Sequence, residues 1–293
     1  MRSALLAAAL LLLACADAPA AAESAPGAAQ VAAQSDDGVA AFGAVLARQQ
    51  RLSARVARVS RQLRVANAAL CSATRMDAGL SSHSLQDYPE AVRPLALHYL
   101  PLGERGRYVR SVVPGSPADA AGVRAGDRIV SGWPVSADRP LVLDSGQALF
   151  RMNEAPDTAC LAPVFVVASD TPNAGTDGRE ITITSALVES AGDDSALAFI
   201  LAHEMAHILR GHSTPGWAAE LQADGDALVL MHNAGFDVAG TVDGWAAGVA
   251  AHRDSQSESA THPPVEVRLR GLRDALDRLD GLAGRDVPLA LQP

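Results

Sequence analysis

Two histidines four residues apart, with a glutamate directly after the first, give the chain its clearest chemical signal: His203-Glu204-Met205-Ala206-His207. On an α-helix, positions i and i+4 lie about 40° apart and one turn up, so both imidazoles face one point. That separation suits two ligands of a tetrahedral Zn²⁺. Glu204, beside the first ligand, can reach a water at the metal and take its proton. Gly211 and Pro215-Gly216 then break the chain, and a second helix is expected from about Trp217. If the two helices run antiparallel, Glu220 becomes the third ligand. Asp224, one turn later on the same face, then accepts the free N–H of a ligating imidazole. His212 lies about 140° round an ideal helix from His207, which assigns it a structural role away from the metal. His83, His98, His232 and His252 have no partner pattern and read as surface or core fillers.

The elements around this motif follow from local pattern. Asp193 or Asp194 caps a helix whose apolar residues run to Leu209, and the segments VFVVAS and ITITSAL (Ile181 to Leu187) read as strands. The stretches HEMAHILRGH, ELQADGDA, AGFD (Ala234 to Asp237) and THPPVEVRL (Thr261 to Leu269) together resemble the gluzincin peptidases of the family that contains the HtpX heat-shock proteases and the CAAX prenyl endopeptidases. The resemblance covers most of Ile181 to Leu269. It implies a zinc endopeptidase with one Zn²⁺ on His203, His207 and Glu220, and with Glu204 as general base. It also implies that the loop at His262 borders the active centre and that Arg268 points inward. Either could stabilise a tetrahedral oxyanion, or His262 could cap the zinc in a resting state. Ser185-Ala186-Leu187 departs from the family, which often has a glycine before that leucine.

A second texture lies upstream. Tyr108 to Val113 reads as a strand, Ser116-Pro117 as the N-cap and first residue of a short helix ending at Gly122, and Gly126-Asp127 as a turn into a strand at Arg128 to Val130. The run from Val112 to Ile129 resembles a PDZ domain of the bacterial protease-associated type. The resemblance implies a groove between a strand and a later helix, with Leu102-Gly103 as the loop for a peptide carboxylate and Gln147 to Asn153 as the groove helix. Whether such a unit binds peptide or packs and regulates stays open. Before it, Phe42, Val45, Leu52, Val56, Val59 and Leu63 recur at helical spacing with arginines between them, which predicts an amphipathic helix over Val39 to Leu70. It either lies across a core or meets anionic lipid.

At the N-terminus, one arginine precedes an uncharged run of 11 residues, Ala4 to Ala14, short for a membrane span and apt for a signal peptide. Leu12-Leu13-Ala14-Cys15 resembles a bacterial lipobox, which implies acylation of Cys15; the alternative is ordinary cleavage near Ala20 to Ala22. Ala16 after the cysteine leans towards the outer membrane. In an oxidising periplasm the other two cysteines, Cys71 and Cys160, are expected to pair, with two buried free thiols as the alternative. The charge of −9, with 24 arginines and no lysine, argues against a general nucleic-acid binder.

The expected fold is α+β: a zincin-like helical metallopeptidase domain with a small sheet, plus an inserted, β-rich PDZ domain. The expected segments are a signal peptide at 1–14, a flexible linker at 15–36 and an N-terminal helix at 37–75, then the PDZ domain at 90–162 and the peptidase domain at 163–293. The expected function is a zinc endopeptidase on the periplasmic side of the envelope. It would act on misfolded or misassembled envelope proteins, be held to the membrane by its N-terminal lipid, and use the PDZ unit for recognition or regulation. The rival is a non-proteolytic PDZ lipoprotein with a structural zinc.

Overall fold

The structure, a computed structural model, describes residues 36–214, 216–251, 263–281 and 289–291. Cys15 and His262 lie outside these residues. No described helix is long and apolar enough to cross a membrane.

Helix α1 (Asp36–Ala66) is the frame on which the rest is hung. Its Val56, Val59 and Leu63 are buried in the largest apolar cluster of the molecule, while Phe42 and Leu46 nearer its start enter a second one. The arginines between them are committed inside the molecule. Arg48 pairs with Glu189, Arg58 with Asp194, Arg61 with Asp77 and Asp157, and Arg64 with Asp77. These pairs give most of the arginines of the helix partners within the molecule.

After α1 comes strand β1 (Thr74–Asp77), which pairs antiparallel with β7 (Asp157–Cys160). This two-stranded neck holds everything between its strands. Cys71 and Cys160 form a disulfide at its base, with Cα atoms 5.5 Å apart. At its far end Asp77 lies between Arg61 and Arg64, and these guanidiniums, offsetting burial, keep its carboxyl below the usual range. The bridge spans a sequence separation of 89 residues. A loop of that length is worth about 4–5 kcal/mol by chain entropy. Reduction, or a Cys71→Ser/Cys160→Ser double substitution, is therefore expected to lower the denaturation midpoint by several kcal/mol equivalents, read by denaturant titration with and without reductant.

Beyond the neck stand β2 (Leu80–Ser84), α2 (Arg93–Tyr99), β3 (Arg107–Val112), α3 (Pro117–Ala120), β4 (Arg128–Ser131), β5 (Val142–Asp144) and β6 (Leu149–Arg151). The five strands form one antiparallel sheet in the order β2-β3-β4-β5-β6 around Val109, Ala118, Ile129, Leu143 and Met152. The sheet starts at Leu80, ahead of the expected boundary at 90. Ser116 caps α3 by accepting from the Asp119 N–H, and Gly122 follows with φ +76°.

The expected groove helix over Gln147 to Asn153 is absent and β6 stands in its place. Asp144 accepts from the Gly146 N–H, Gly146 adopts φ +78°, and Ser145 N–H donates to the Ala148 carbonyl. That turn folds the chain into a β5–β6 hairpin before a helix can start. Leu102 packs against the cluster of Phe42, Tyr88 and Leu95, and a Cβ on Gly103 would lie 2.4 Å from the Tyr108 hydroxyl. Both residues of the loop expected to hold a carboxylate thus lie against the protein's own side chains.

Of the two readings open for His83, surface or core, the structure bears out the core one. The residue is fully buried on β2, with Nδ1 2.8 Å from the Tyr88 hydroxyl. Burial, and then the charge of Arg110, push its pKa down to about 4. Since the unfolded value is about 6.5, the neutral ring stabilises the fold fully above that pH, and the benefit fades as pH falls towards 4. The expected acid loss is about 3 kcal/mol over that window. A His83→Gln variant should lack this segment of the stability–pH curve.

In the second half, β8 (Val164–Val167), β9 (Ala174–Thr176) and β10 (Ile181–Thr184) form a sheet in the order β8-β10-β9, with β9 at an edge. Strand β10 stops at Thr184, short of the expected Leu187. The Thr184 hydroxyl accepts from the Leu187 N–H and opens helix α4 (Ser185–Ser190). Four helices complete the domain: α5 (Asp194–Arg210), α6 (Trp217–Asn233), α7 (Val238–Ala251) and α8 (Val265–Asp280). Arg55 of α1 holds the turn from α4 into α5. It donates to the carbonyls of Val188, Ala191 and Asp193 and pairs with Asp194 at 3.0 Å.

Candidate metal centre

Helix α5 begins where the Asp193 side chain accepts from the Ala196 N–H, and it ends at Gly211, whose φ is +64°. Leu197, Leu201 and Met205 face the core, and this fixes the rotation that turns His203 and His207 the other way. Helix α6 packs alongside α5 through Ala223, Ala227 and Leu230. Arg210 clamps the far end of the pair by donating to both oxygens of the buried Asp226, at 2.6 and 2.9 Å.

This packing brings Glu220 over the two imidazoles. His203 Nε2 lies 3.5 Å from Glu220 Oε2, His207 Nε2 lies 3.5 Å from Glu220 Oε1, and the two Nε2 atoms are 3.1 Å apart. One ligand atom from each of the three residues falls within 4.8 Å of the others. Each Nδ1 is held from behind. His203 Nδ1 is 3.0 Å from Asp224 Oδ1, and His207 Nδ1 is 2.9 Å from His212 Nδ1. His212 Nε2 in turn lies 3.0 Å from Gln222 Oε1. Two imidazoles and a carboxylate, with both rings turned so that Nε2 faces inward, form a donor set that fits zinc.

Asp224 is 1% exposed and carries more than the ring. Arg268 of α8 donates to it twice, Nε at 2.8 Å and a terminal nitrogen at 2.6 Å, and the same guanidinium lies 5.0 Å from the centroid of the Trp245 ring. Burial favours a neutral Asp224, but Arg268 and His203 outweigh it and hold the carboxyl below its usual range. Burial also opposes charge on His203, yet its hydrogen bonds to Asp224 and Glu220 prevail and raise its pKa to about 9. His207 goes the other way, down to about 4, through burial and then the neighbouring His203 charge. Without metal, these opposite shifts favour one positive charge on the pair, carried by His203.

His203 and Glu220 open onto a cleft of about 980 Å³. Glu204 lines it together with His203, Glu220 and Arg268, and Phe199, Ile200 and Trp245 supply an apolar wall. Of the residues singled out in the sequence, the structure thus gathers His203, Glu204, His207, Glu220, Asp224 and Arg268. Leu102 and Gly103 belong to the other apolar cluster and its neighbouring loop. Arg268 is bound to Asp224, a contact its sequence position did not suggest. His212 stays outside the ligand cluster, in line with the 140° spacing, and its structural role is to back His207. Past Gly211 the helix has ended, and a left-handed cap, with the His212 N–H on the His207 carbonyl at 3.0 Å, returns that ring over the last turn. The glycine was the available signal.

Residues 144–217 match peptidase family M48, residues 193–282 match peptidase U49, and residues 108–131 match the PDZ domain. No curated protein matches the chain. The two peptidase matches overlap on α5, the helix that presents His203 and His207, and the PDZ match falls on β3, α3 and β4. These matches support an M48-type metallopeptidase family for the chain, with a PDZ domain inserted ahead of the residues that form the candidate metal centre.

Proposed function

We propose that this peptidase is a zinc-dependent endopeptidase of the bacterial envelope, lipid-anchored through Cys15 on the periplasmic side, more at the outer membrane than the inner. Its substrates are misfolded or misassembled envelope proteins, and its PDZ domain recognises them or regulates access. One observation carries the catalytic part: His203, His207 and Glu220 converge with both ring Nδ1 atoms already held, and His203 and Glu220 line a cleft that Glu204 also lines. Zinc held by these three residues would polarise the scissile carbonyl and acidify the attacking water. Glu204 accepts a proton from that water and returns it to the departing amine. Asp224 keeps His203 oriented, and Arg268 keeps Asp224 ionised. The Cys71–Cys160 bridge is in keeping with export to an oxidising compartment.

Proteolysis of an unfolded protein tests the reading. Cleavage is expected to stop with a chelator and return with added zinc. Zinc-loaded protein that never cleaves would point instead to a non-proteolytic assembly factor with a structural metal.

A further inference from the structure

Gln222 and His212 form a hydrogen-bonded chain ending on His207, and we propose that this pair is a positioning relay that fixes which ring nitrogen of His207 carries the proton. The inference rests on reading His207 as a metal ligand and goes beyond it, because neither Gln222 nor His212 touches the metal position. A neutral imidazole has one donor nitrogen and one acceptor nitrogen. An amide oxygen only accepts, so Gln222 Oε1, 3.0 Å from His212 Nε2, sets an N–H on that nitrogen. His212 Nδ1 is then a bare lone pair. It faces His207 Nδ1 at 2.9 Å, so His207 donates from Nδ1 and keeps its lone pair on Nε2. That Nε2 is the atom turned towards Glu220 and His203. Reversing one ring would set two N–H groups, or two lone pairs, against each other and place an N–H where a ligand atom belongs.

The two ligating rings are therefore oriented by different chemistry. His203 is held by a carboxylate that Arg268 neutralises, and His207 by an uncharged relay that adds no further negative charge beside Glu220. Helix α6 supplies Glu220, Gln222 and Asp224, so one helix sets both rings and the third ligand. Gln222 also lines a separate cavity of about 500 Å³ bordered by α6 and α8. Its side chain can be exchanged there without touching a ligand.

The test uses the purified chain with zinc titrated by competition, and ¹⁵N NMR of its histidines in the metal-free state. Gln222→Glu keeps an acceptor and is expected to hold zinc affinity within about twofold, whereas Gln222→Lys presents only donors and should lose roughly 10–100-fold. Metal-free wild type and Gln222→Glu should show His207 as the Nδ1–H tautomer, and Gln222→Lys should show Nε2–H. His212→Phe is expected to weaken zinc as Gln222→Lys does, and His212→Asn, whose amide oxygen replaces Nδ1, to recover most of the loss. If His212→Phe does not fold, the Gln222 pair decides alone. Equal zinc affinity in the two Gln222 variants, or His207 as Nε2–H in the metal-free wild type, overturns the relay. Wild type that shows Nδ1–H yet takes up no zinc would leave the relay standing and end the metal reading instead.

Discussion

Glu204→Gln is expected to keep a full complement of zinc and lose at least about 10²–10⁴-fold in turnover. The substitution is nearly isosteric, and the side chain lies on the cleft wall rather than among the three converging ligand atoms. Packing and metal uptake should therefore survive. What disappears is a basic oxygen one residue from His203, on a carboxylate that lines the cleft beside His203 and Glu220. Arg268 also feels the Glu204 charge, so a small change in substrate affinity is expected beside the loss of turnover and should stay well below it. Zinc stoichiometry and single-turnover rates on one preparation separate the two effects. A variant that cleaves at near wild-type rate would remove Glu204 from the mechanism, and a variant without zinc would make it a ligand.

The chemistry of this chain was readable wherever the determining interactions are local. The i, i+4 spacing of His203 and His207, the Asp193 cap and the glycine break before Trp217 all act within a few residues, so the helix pair and the three residues it gathers follow from spacing. The Cys71–Cys160 pairing was open to argument for a different reason: few cysteines leave few partners. Tertiary context decided the rest. Leu149, Phe150 and Met152 carry too short an apolar pattern to separate helix from strand, and the turn at Gly146 chose the strand. Nothing around His83 marks it as buried, because Tyr88 lies only five residues on but the sheet that encloses the ring draws its neighbouring strand from more than 20 residues away. Likewise the arginines of α1 form a basic stripe until their partners at 77, 157, 189 and 194 are brought to them.

Asp224→Ala should be the most damaging single change to the fold around the site. Three hydrogen bonds end on this carboxylate, from His203 and twice from Arg268, and the Arg268 side chain is only 17% exposed. Removing one partner of such a pair leaves a buried cation without its counter-charge, a loss of about 3–5 kcal/mol. At 2–4 °C per kcal/mol for a domain of this size, the melting temperature is expected to fall by roughly 10 °C. Zinc affinity should drop as well, by about 10–100-fold, since His203 loses the group that orients it. The two losses can be separated. In an Asp224→Leu/Arg268→Met double variant the unpaired charge is gone, so stability should largely return while zinc affinity stays low. The pH dependence of metal-free protein gives a second check. Because the folded pKa of His203, about 9, lies above its unfolded value, the stability it contributes is fully present below about pH 6.5 and fades as pH rises through 9. The difference between wild type and Asp224→Ala should therefore narrow at alkaline pH by the His203 share and keep the Arg268 share. A difference that is constant from pH 6 to pH 10 would mean that Asp224 acts through Arg268 alone.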